Sequence, residues 1–266
     1  MPVICLHAKE EIESFAQQNP FLHLLELGDL DEFFWPYTVW YALKDAESIR
    51  QLALVYTAGD MPVLLANPEP PRQQIRELLR DLHPLLPKRF YAHLDPTQVD
   101  LFTPAYAIQP RGLHYKMGLM DRSKLHTQIA HNVTVLSEAD LSALENLYRA
   151  RYPTNVPPIR MLQTGWFYGI RERDAIVSVA GIHVYSRAYR VAVLGYVMTH
   201  PKWRRRGFGR GVCARLCQDL IRSGIEFIGL NVKSDNDSAI KLYQNLGFEI
   251  VAEFGAYILE AKSNVQ

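Results

Sequence analysis

The strongest restriction on the fold of this chain comes from a buried strand that runs into a cationic, glycine-rich turn and then a helix. The strand is the apolar run Val191–Thr199, and the helix is predicted from about Gly209 to Ser223. Between His200 and Gly224 the chain has seven basic residues and one acidic residue, whereas its 266 residues together have a net charge of +1. Glycine permits close backbone approach to a ligand, and the first N–H groups of a helix attract anions. The segment therefore predicts a pyrophosphate site.

Two common phosphate motifs are absent from this turn. Gly207-Phe208-Gly209 is followed two residues later by Gly211, which excludes the pattern Gly-x-Gly-x-x-Gly, and no Gly-Lys-Ser/Thr sequence marks a Walker loop. A solvated basic turn with helix-packing glycines remains an alternative interpretation. Nucleic acid is not an expected partner, because the basic run Arg204–Arg206 is short and RNA-binding aromatic motifs are missing.

Two motifs in the second half resemble the GNAT superfamily of N-acetyltransferases. Arg204-x-x-Gly207-x-Gly209 is similar to the family's acetyl-CoA pyrophosphate loop. The segment Asn236–Phe248 resembles the second signature, Asn-x-x-Ala-x-x-x-Tyr-x-x-x-Gly-Phe, and Ala180-Gly181 resembles the family's third strand. The resemblance covers roughly residues 132–261. It implies an α/β (α+β) fold with a mixed, mostly antiparallel sheet flanked by helices, and direct acetyl transfer from acetyl-CoA to a primary amine in a ternary complex.

The resemblance also implies which residues hold acetyl-CoA. The backbone at the end of the strand would bind the pantetheine amides, and the loop N–H groups and arginines would hold the pyrophosphate. The implied residues are Val197, Met198, Thr199, Arg204, Arg205, Arg206, Gly207, Phe208, Gly209, Arg210, Asn231 and Asn236. Core packing for Val197 and Met198, and a helix N-cap for Asn236, are equally compatible with the sequence. No metal is expected.

The two predicted catalytic residues are Tyr243 and His183. Tyr243 matches the tyrosine that protonates the departing CoA thiolate in many family members, although it also fits a structural core position. Many relatives carry a glutamate base on the strand that corresponds to Val191–Thr199, but that run contains no acid. The base is therefore His183, Tyr185, Tyr196 or a chain of water molecules, and a lone histidine in a strand is more often structural.

The chain is expected to contain two domains. Residues 1–125 form a diverged α/β domain, which the resemblance suggests is GNAT-like, and residues 132–266 form the acetyl-CoA-binding catalytic domain. The polar stretch Met120–His131 is the predicted linker. In the second domain the end of the chain is predicted as two antiparallel edge strands, Phe248–Phe254 and Tyr257–Glu260.

The first domain shows alternating helical and extended patterns. Pro71–Leu82 has leucine and isoleucine at helical spacing, which predicts an amphipathic helix. The predicted strands of this half are Phe34–Leu43, Ser48–Tyr56, Met61–Ala66, Phe90–Leu94 and His114–Leu119.

Composition predicts a soluble, cytoplasmic protein. Hydrophobic residues make up 48% and charged residues 21%, and no apolar run reaches the roughly 18 residues of a membrane span. The start of the chain lacks the order of a secretory signal. Three cysteines cannot pair completely, and Cys213 and Cys217, four residues apart on a helix, fit buried thiols that face the core. A monomer or a homodimer is expected.

Two other functions stay open at this stage. The chain could bind acyl-CoA as a sensor without turnover, which the missing acid favours and Tyr243 disfavours. It could also serve as a scaffold through its first half. The sequence does not identify the acceptor, although the two-domain organisation favours a small amine or an amino acid.

Overall fold

The computed structural model describes residues 3–45, 48–126, 132–149 and 155–262. The described strands are β1 (Val3–Leu6), β2 (Thr38–Asp45), β3 (Ser48–Tyr56), β4 (Val63–Ala66), β5 (Arg89–Leu94), β6 (Tyr106–Leu119), β7 (Val133–Leu136), β8 (Phe167–Glu172), β9 (Ala175–Ser186), β10 (Val191–Thr199), β11 (Phe227–Lys233) and β12 (Phe248–Ala261). The described α-helices are α1 (Lys9–Ala16), α2 (Leu24–Asp29), α3 (Gln73–Leu82), α4 (Leu141–Arg149), α5 (Ile159–Leu162), α6 (Phe208–Arg222) and α7 (Asp237–Gln244).

The chain divides into two compact units. The first contains Met1–Lys116, Lys233–Asp235 and Val251–Gln266, and the second contains Met117–Val232 and Asn236–Ile250. Most of β12 therefore belongs to the first unit, which a single cut of the chain near residues 125–132 does not anticipate. Of the predicted linker, residues 127–131 lie outside the described part of the chain, and the assignment of functional domains stays a prediction.

The first unit contains the sheet order β1-β2-β3-β4-β5. The β4–β5 pair is parallel and the other pairs are antiparallel. The predicted amphipathic helix is confirmed as α3, and its four apolar residues Ile75, Leu78, Leu79 and Leu82 are fully buried in the core of this unit. Their 3.6-residue spacing places them on one face, so burial of that face fixes the helix on the sheet.

The prediction of two antiparallel strands at the end of the chain is wrong. Residues 248–261 form one strand, β12, which pairs with β5 from Gly255↔Leu94 to Glu260↔Arg89. The two predicted strands were separated at Gly255, but this residue lies within the strand, and a Cβ there would lie 2.2 Å from the Tyr257 hydroxyl. Residues two apart share one face of a strand, so this glycine makes room for the tyrosine ring.

The starts of two strands in the first half differ from the prediction by four residues or more. β2 begins at Thr38 rather than Phe34, because Trp35–Tyr37 form a 3-10 turn that contains Pro36. β6 begins at Tyr106 rather than His114 and continues through Gly112, which has a φ of +100°. Strand β3 has the predicted bounds.

The second unit contains the sheet order β11-β10-β9-β8-β7, in which only the β10–β11 pair is parallel. α4 and α6 pack against β9, and α6 also contacts β8 and β10. The predicted strand Val191–Thr199 is confirmed as β10. The predicted fold class, a mixed and mostly antiparallel sheet flanked by helices, is confirmed. Within the described ranges no helix is both long and apolar enough to cross a membrane.

Candidate active site

The parallel strands β10 and β11 are paired over only the first half of β10 within the described residues. Their pairing runs from Val191↔Phe227 to Leu194↔Leu230 within the described residues, although β10 continues to Thr199. Strand backbone that has no neighbouring strand on one side keeps N–H and C=O groups for another partner. The second half of β10 can therefore pair with an extended ligand as an added strand would.

A β-bulge lies where β10 leaves β11. Gly195 pairs with Gly181 and Met198 pairs with Val179 on β9, so Tyr196 and Val197 together oppose the single residue Ala180. Tyr196 has a left-handed φ of +54°, which is uncommon for a non-glycine residue. The extra residue turns the strand at the point where the pairing with β11 ends.

Hydrogen bonds fix the strand on both sides of the bulge. The Tyr148 hydroxyl on α4 donates to the Tyr196 carbonyl. Beyond the bulge, the fully buried Ser178 on β9 has its Oγ 3.3 Å from the Met198 carbonyl and 2.8 Å from Thr199 Oγ1. The His200 N–H donates to the Val177 carbonyl at 2.9 Å, which ties the strand end to β9.

The turn after β10 leaves the start of α6 open. Pro201–Trp203 form a 3-10 turn, and Arg205 (φ +59°) and Gly207 (φ +79°) are left-handed. Gly207 is the N-cap of α6 and has no side chain to satisfy the first N–H groups of that helix. Unsatisfied N–H groups together with the helix dipole make this end of α6 an anion site.

Gly209 brings three elements of the site into contact. A Cβ at this position would lie 3.1 Å from Thr199 Oγ1 at the end of β10 and 3.3 Å from Leu242 Cδ1 on α7. Both distances are shorter than ordinary van der Waals contact. The glycine therefore allows the end of β10, the first turn of α6 and α7 to meet around one point.

The four predicted cations of the loop have different surroundings. Arg204 Nε lies 3.4 Å from the Thr199 carbonyl, and the Arg206 guanidinium lies 4.6 Å from the centre of the Trp203 ring. Arg205 is exposed. The Nε atom of the half-buried Arg210 has no hydrogen-bond partner within the described residues. A buried cationic N–H without an acceptor is costly, so the loop is suited to an anionic ligand.

Tyr243 is buried on α7, as its helical position predicts. Burial raises the pKa of its phenol well above the ordinary value, and the nearby thiols of Cys213 and Cys217 raise it further. Both thiols are themselves fully buried, which raises the pKa of Cys213 to about 12. At neutral pH all three groups are therefore protonated, so neither cysteine is a thiolate nucleophile.

His183 lies on β9 over the bulge. A Cβ at Gly195 would lie 2.3 Å from the His183 ring, and the ring centres of His183 and Tyr196 are 4.7 Å apart. The side chain keeps contact with solvent, yet the protein around it lowers its pKa through desolvation. His183 is therefore neutral at pH 7 and can accept a proton, as a weaker base than a free histidine. Tyr185 instead packs its ring on Trp166, with 4.9 Å between centres.

The two predicted asparagines occupy different positions. Asn236 is the N-cap of α7, and its Oδ1 accepts a hydrogen bond from the Ala239 N–H at 3.3 Å. The structural interpretation of Asn236 is thus confirmed. Asn231 is half-buried on β11 beyond the last pair with β10. Of the predicted strand residues, Met198 is buried and Val197 is half-buried.

Sequence reasoning missed Tyr148 and Ser178. Tyr148 lies on α4, 48 residues before the carbonyl that it contacts, and no motif marks it. Ser178 offered one signal, because a polar residue in the apolar run Ala175–Val184 requires a buried partner.

The family comparison identifies the second half of the chain. The model of the acetyltransferase (GNAT) family matches residues 139–248, which include the bulge, the open end of α6 and Tyr243. This segment is a GNAT domain. A curated acetyltransferase from Yersinia pestis is 37% identical over 54 residues, which are 20% of this chain and 38% of that protein. The chain thus spans 38% of the length of the curated relatives that it matches.

Solved structures extend the similarity of fold beyond the GNAT domain. A Drosophila protein aligns with a TM-score of 0.71 and 12% identity over 97% of this chain and 98% of that one. A tandem GNAT protein from the clavulanic acid biosynthesis pathway aligns with a TM-score of 0.57 and 13% identity over 99% of this chain and all of that one. At these identities the comparison shows the fold alone, and it agrees with the mixed sheet described above.

Proposed function

We propose that this protein is an acetyl-CoA-dependent N-acetyltransferase that acts on a primary amine of a small molecule or an amino acid. The observation that carries the proposal is the meeting of the free half of β10 with the open end of α6 at Gly209. One side offers strand backbone to the amides of pantetheine, and the other offers N–H groups to a pyrophosphate.

The residues of the loop fit the anionic part of acetyl-CoA. The N–H groups from Arg205 to Arg210 would hold the pyrophosphate, and the unpartnered Nε of Arg210 would gain an acceptor. Val197, Met198 and Thr199 would bind pantetheine through their backbone, so the burial of the Met198 side chain does not conflict with that role. Asn231 and Asn236 lie near the ends of the elements that border this region, and the capping role of Asn236 leaves its contact with CoA a secondary proposal.

The proposed chemistry is direct transfer in a ternary complex. The neutral amine attacks the thioester carbonyl, the C–N bond forms, and the C–S bond then breaks. The amine proton goes to a base, and Tyr243 gives its proton to the sulfur. Burial weakens Tyr243 as an acid, but the same desolvation makes the departing thiolate a stronger base. Protonated Cys213 and Cys217 offer no route through an acetyl-cysteine.

For the base we propose His183, with Tyr185, Tyr196 or water as the alternatives. The imidazole is neutral, it reaches solvent, and it lies beside the bulge of β10. Solvent access matters because the proton taken from the amine must leave the site after each turnover. Tyr196 is a poorer choice, since burial raises the pKa of its phenol.

We also propose that the protein is cytoplasmic. All three of its cysteines are free, and a reducing cytoplasm would keep them so. The first half is proposed to be a diverged GNAT-like domain that shapes the acceptor site, in keeping with the tandem fold.

The test of the proposed function is a thiol-release assay with acetyl-CoA and a panel of small amines and amino acids. Turnover on at least one amine, together with loss of the acetyl-CoA-dependent rise in melting temperature in Gly209→Asp, would support the proposal. Binding of acetyl-CoA without turnover on any amine would instead favour an acyl-CoA sensor. A wild-type protein that does not bind acetyl-CoA would refute both functions.

A further inference from the structure

Tyr148 is a buried residue of the GNAT domain, and the proposed chemistry assigns it no role. Its side chain is fully buried on α4, and its hydroxyl donates to the carbonyl of Tyr196 in the bulge of β10. Burial raises the pKa of the phenol, so the hydroxyl keeps its proton and remains a donor. The contact joins α4 to the one residue of β10 whose backbone is left-handed.

The left-handed conformation of Tyr196 needs external support. A φ of +54° is unfavourable for a side chain with a Cβ, and such residues persist only where the surrounding structure holds them. Glycine adopts this conformation freely, but the chain has tyrosine here. The hydrogen bond from Tyr148 is the described contact that acts on the peptide group directly after this residue.

The bulge decides where the ligand-binding half of β10 points. With one residue fewer, Val197 rather than Met198 would pair with Val179, and every later side chain and backbone group of β10 would change sides. Thr199 would then lose its contact with Ser178, at 2.8 Å, and its place against Gly209. The position of the strand end thus depends on the bulge.

We propose that Tyr148 is a positioning residue for acetyl-CoA: its hydroxyl holds the Tyr196 carbonyl and thereby keeps the bulge that directs Val197–Thr199 toward the ligand. The inference rests on the proposed function, because it assigns Tyr148 to the same acetyl-CoA site. Tyr148 does not touch the reacting atoms. It acts through the backbone of β10.

The test compares Tyr148→Phe with Tyr168→Phe by calorimetric titration of acetyl-CoA and by melting without ligand. Tyr168 is a matched control because it is a buried tyrosine of the same unit, and its hydroxyl lies 3.0 Å from Asp219 Oδ2. When the Tyr168 hydroxyl is removed, Asp219 keeps its ion pairs with Arg215 and Arg222. We expect Tyr148→Phe to raise the Kd for acetyl-CoA at least tenfold and Tyr168→Phe to change it less than twofold, with similar losses of melting temperature.

A second comparison asks whether the effect passes through the bulge. In a Tyr196→Gly background the left-handed conformation needs little support, so adding Tyr148→Phe should change the Kd less than twofold. An equal tenfold loss in both backgrounds would overturn the proposal. So would wild-type affinity in Tyr148→Phe, or equal losses of affinity in the two tyrosine variants.

If Tyr148→Phe does not fold, adding Tyr196→Gly to it tests the proposal instead. Recovery of folding and of acetyl-CoA binding on adding Tyr196→Gly supports the proposal, and a double variant that stays unfolded or does not bind overturns it. If the wild-type protein does not bind acetyl-CoA, the proposed function fails and this inference fails with it. Wild-type binding that is unaffected by Tyr148→Phe refutes the inference alone.

Discussion

Substitution of Gly209 separates binding of acetyl-CoA from stability of the fold. In Gly209→Asp a side chain and a negative charge enter the point where β10, α6 and α7 meet. The Cβ alone would lie 3.1 Å from Thr199 Oγ1 and 3.3 Å from Leu242 Cδ1. The charge would face the same N–H groups that are proposed to hold the pyrophosphate. We expect this variant to lose acetyl-CoA binding while the protein stays folded.

The stability cost follows from two opposing effects. Crowding in a packed interior costs about 1–3 kcal/mol, while replacement of a helical glycine by a residue with a Cβ returns up to about 1 kcal/mol. The net loss therefore lies between about 0 and 3 kcal/mol, or at most roughly 6–12 °C of melting temperature for a domain of this size. Leu242 can rotate away, which keeps the loss toward the lower end.

The ligand effect is of comparable size, and it is measured separately as the difference between melting temperatures with and without acetyl-CoA. Acetyl-CoA at one hundred times its Kd should stabilise the wild-type protein by about 2.7 kcal/mol, roughly 5–10 °C. We expect this shift to vanish in Gly209→Asp and to be reduced in Gly209→Ala, measured by thermal melting with and without acetyl-CoA. The control is Gly59→Asp, which makes the same charge change where the nearest atom to a Cβ is 3.8 Å away.

Two results would refute this reasoning. An unchanged acetyl-CoA shift in Gly209→Asp would show that the ligand does not approach the first turn of α6. Loss of the shift in Gly59→Asp as well would show that added negative charge, rather than its position, weakens binding. The first result would place the anion site elsewhere, and the second would mean that Gly209→Asp no longer locates it.

Three further predictions concern catalysis and stability. Tyr243→Phe should lower kcat at least tenfold, since a positioned acid contributes about 10²–10⁴ in rate, with the acetyl-CoA melting shift retained; wild-type turnover would exclude the acid role. The double variant Cys213→Ser, Cys217→Ser should keep its turnover, and a trapped acetyl-cysteine in the parent protein, seen by mass spectrometry, would contradict direct transfer. Glu26→Gln should lower the free energy of unfolding by roughly 3 kcal/mol at pH 7, because the facing Lys116 helps lower the pKa of this buried carboxyl from 4.5 to about 2. That difference should shrink in denaturant titrations as the pH falls from 4.5 toward 2, where the carboxyl becomes protonated in the folded state as well.

The parts of the fold that the sequence predicted well are those where burial follows a local period. The spacing of Ile75, Leu78, Leu79 and Leu82 gave α3, because only one face of that helix can be covered. The apolar run Val191–Thr199 gave β10 with its bounds. In both cases the information lies within a dozen consecutive residues.

The parts of the fold that the sequence predicted poorly depend on residues that are distant in the chain. Gly255 resembles a turn residue until the ring of Tyr257 is placed over it, and Gly112 resembles one although β6 continues through it. Neither local spacing nor residue type distinguishes a glycine that bends the chain from one that makes room for a neighbour. Tertiary packing decides between these roles.

The candidate site divides in the same way. The loop from Arg204 to Arg210 was predictable, because glycines and cations before a helix have a chemical meaning that does not depend on the rest of the fold. The bulge was not, since its left-handed residue is Tyr196 rather than a glycine and its supporting hydroxyl comes from Tyr148. The sequence thus predicted which residues are candidates for binding the ligand, and the structure adds the contacts that hold those residues in place.

The absence of an acid on β10 has a structural counterpart on β9. Gly195 leaves a space on β10 that the ring of His183 occupies, since a Cβ there would lie 2.3 Å from the imidazole. A side chain at position 195 would displace the ring from the bulge. Strand β10, on which the family resemblance implied a glutamate, thus leaves this space to a histidine from the neighbouring strand, and that histidine is neutral and open to solvent. We therefore propose that the base lies on β9, one strand away, while the backbone proposed to bind the cosubstrate is on β10.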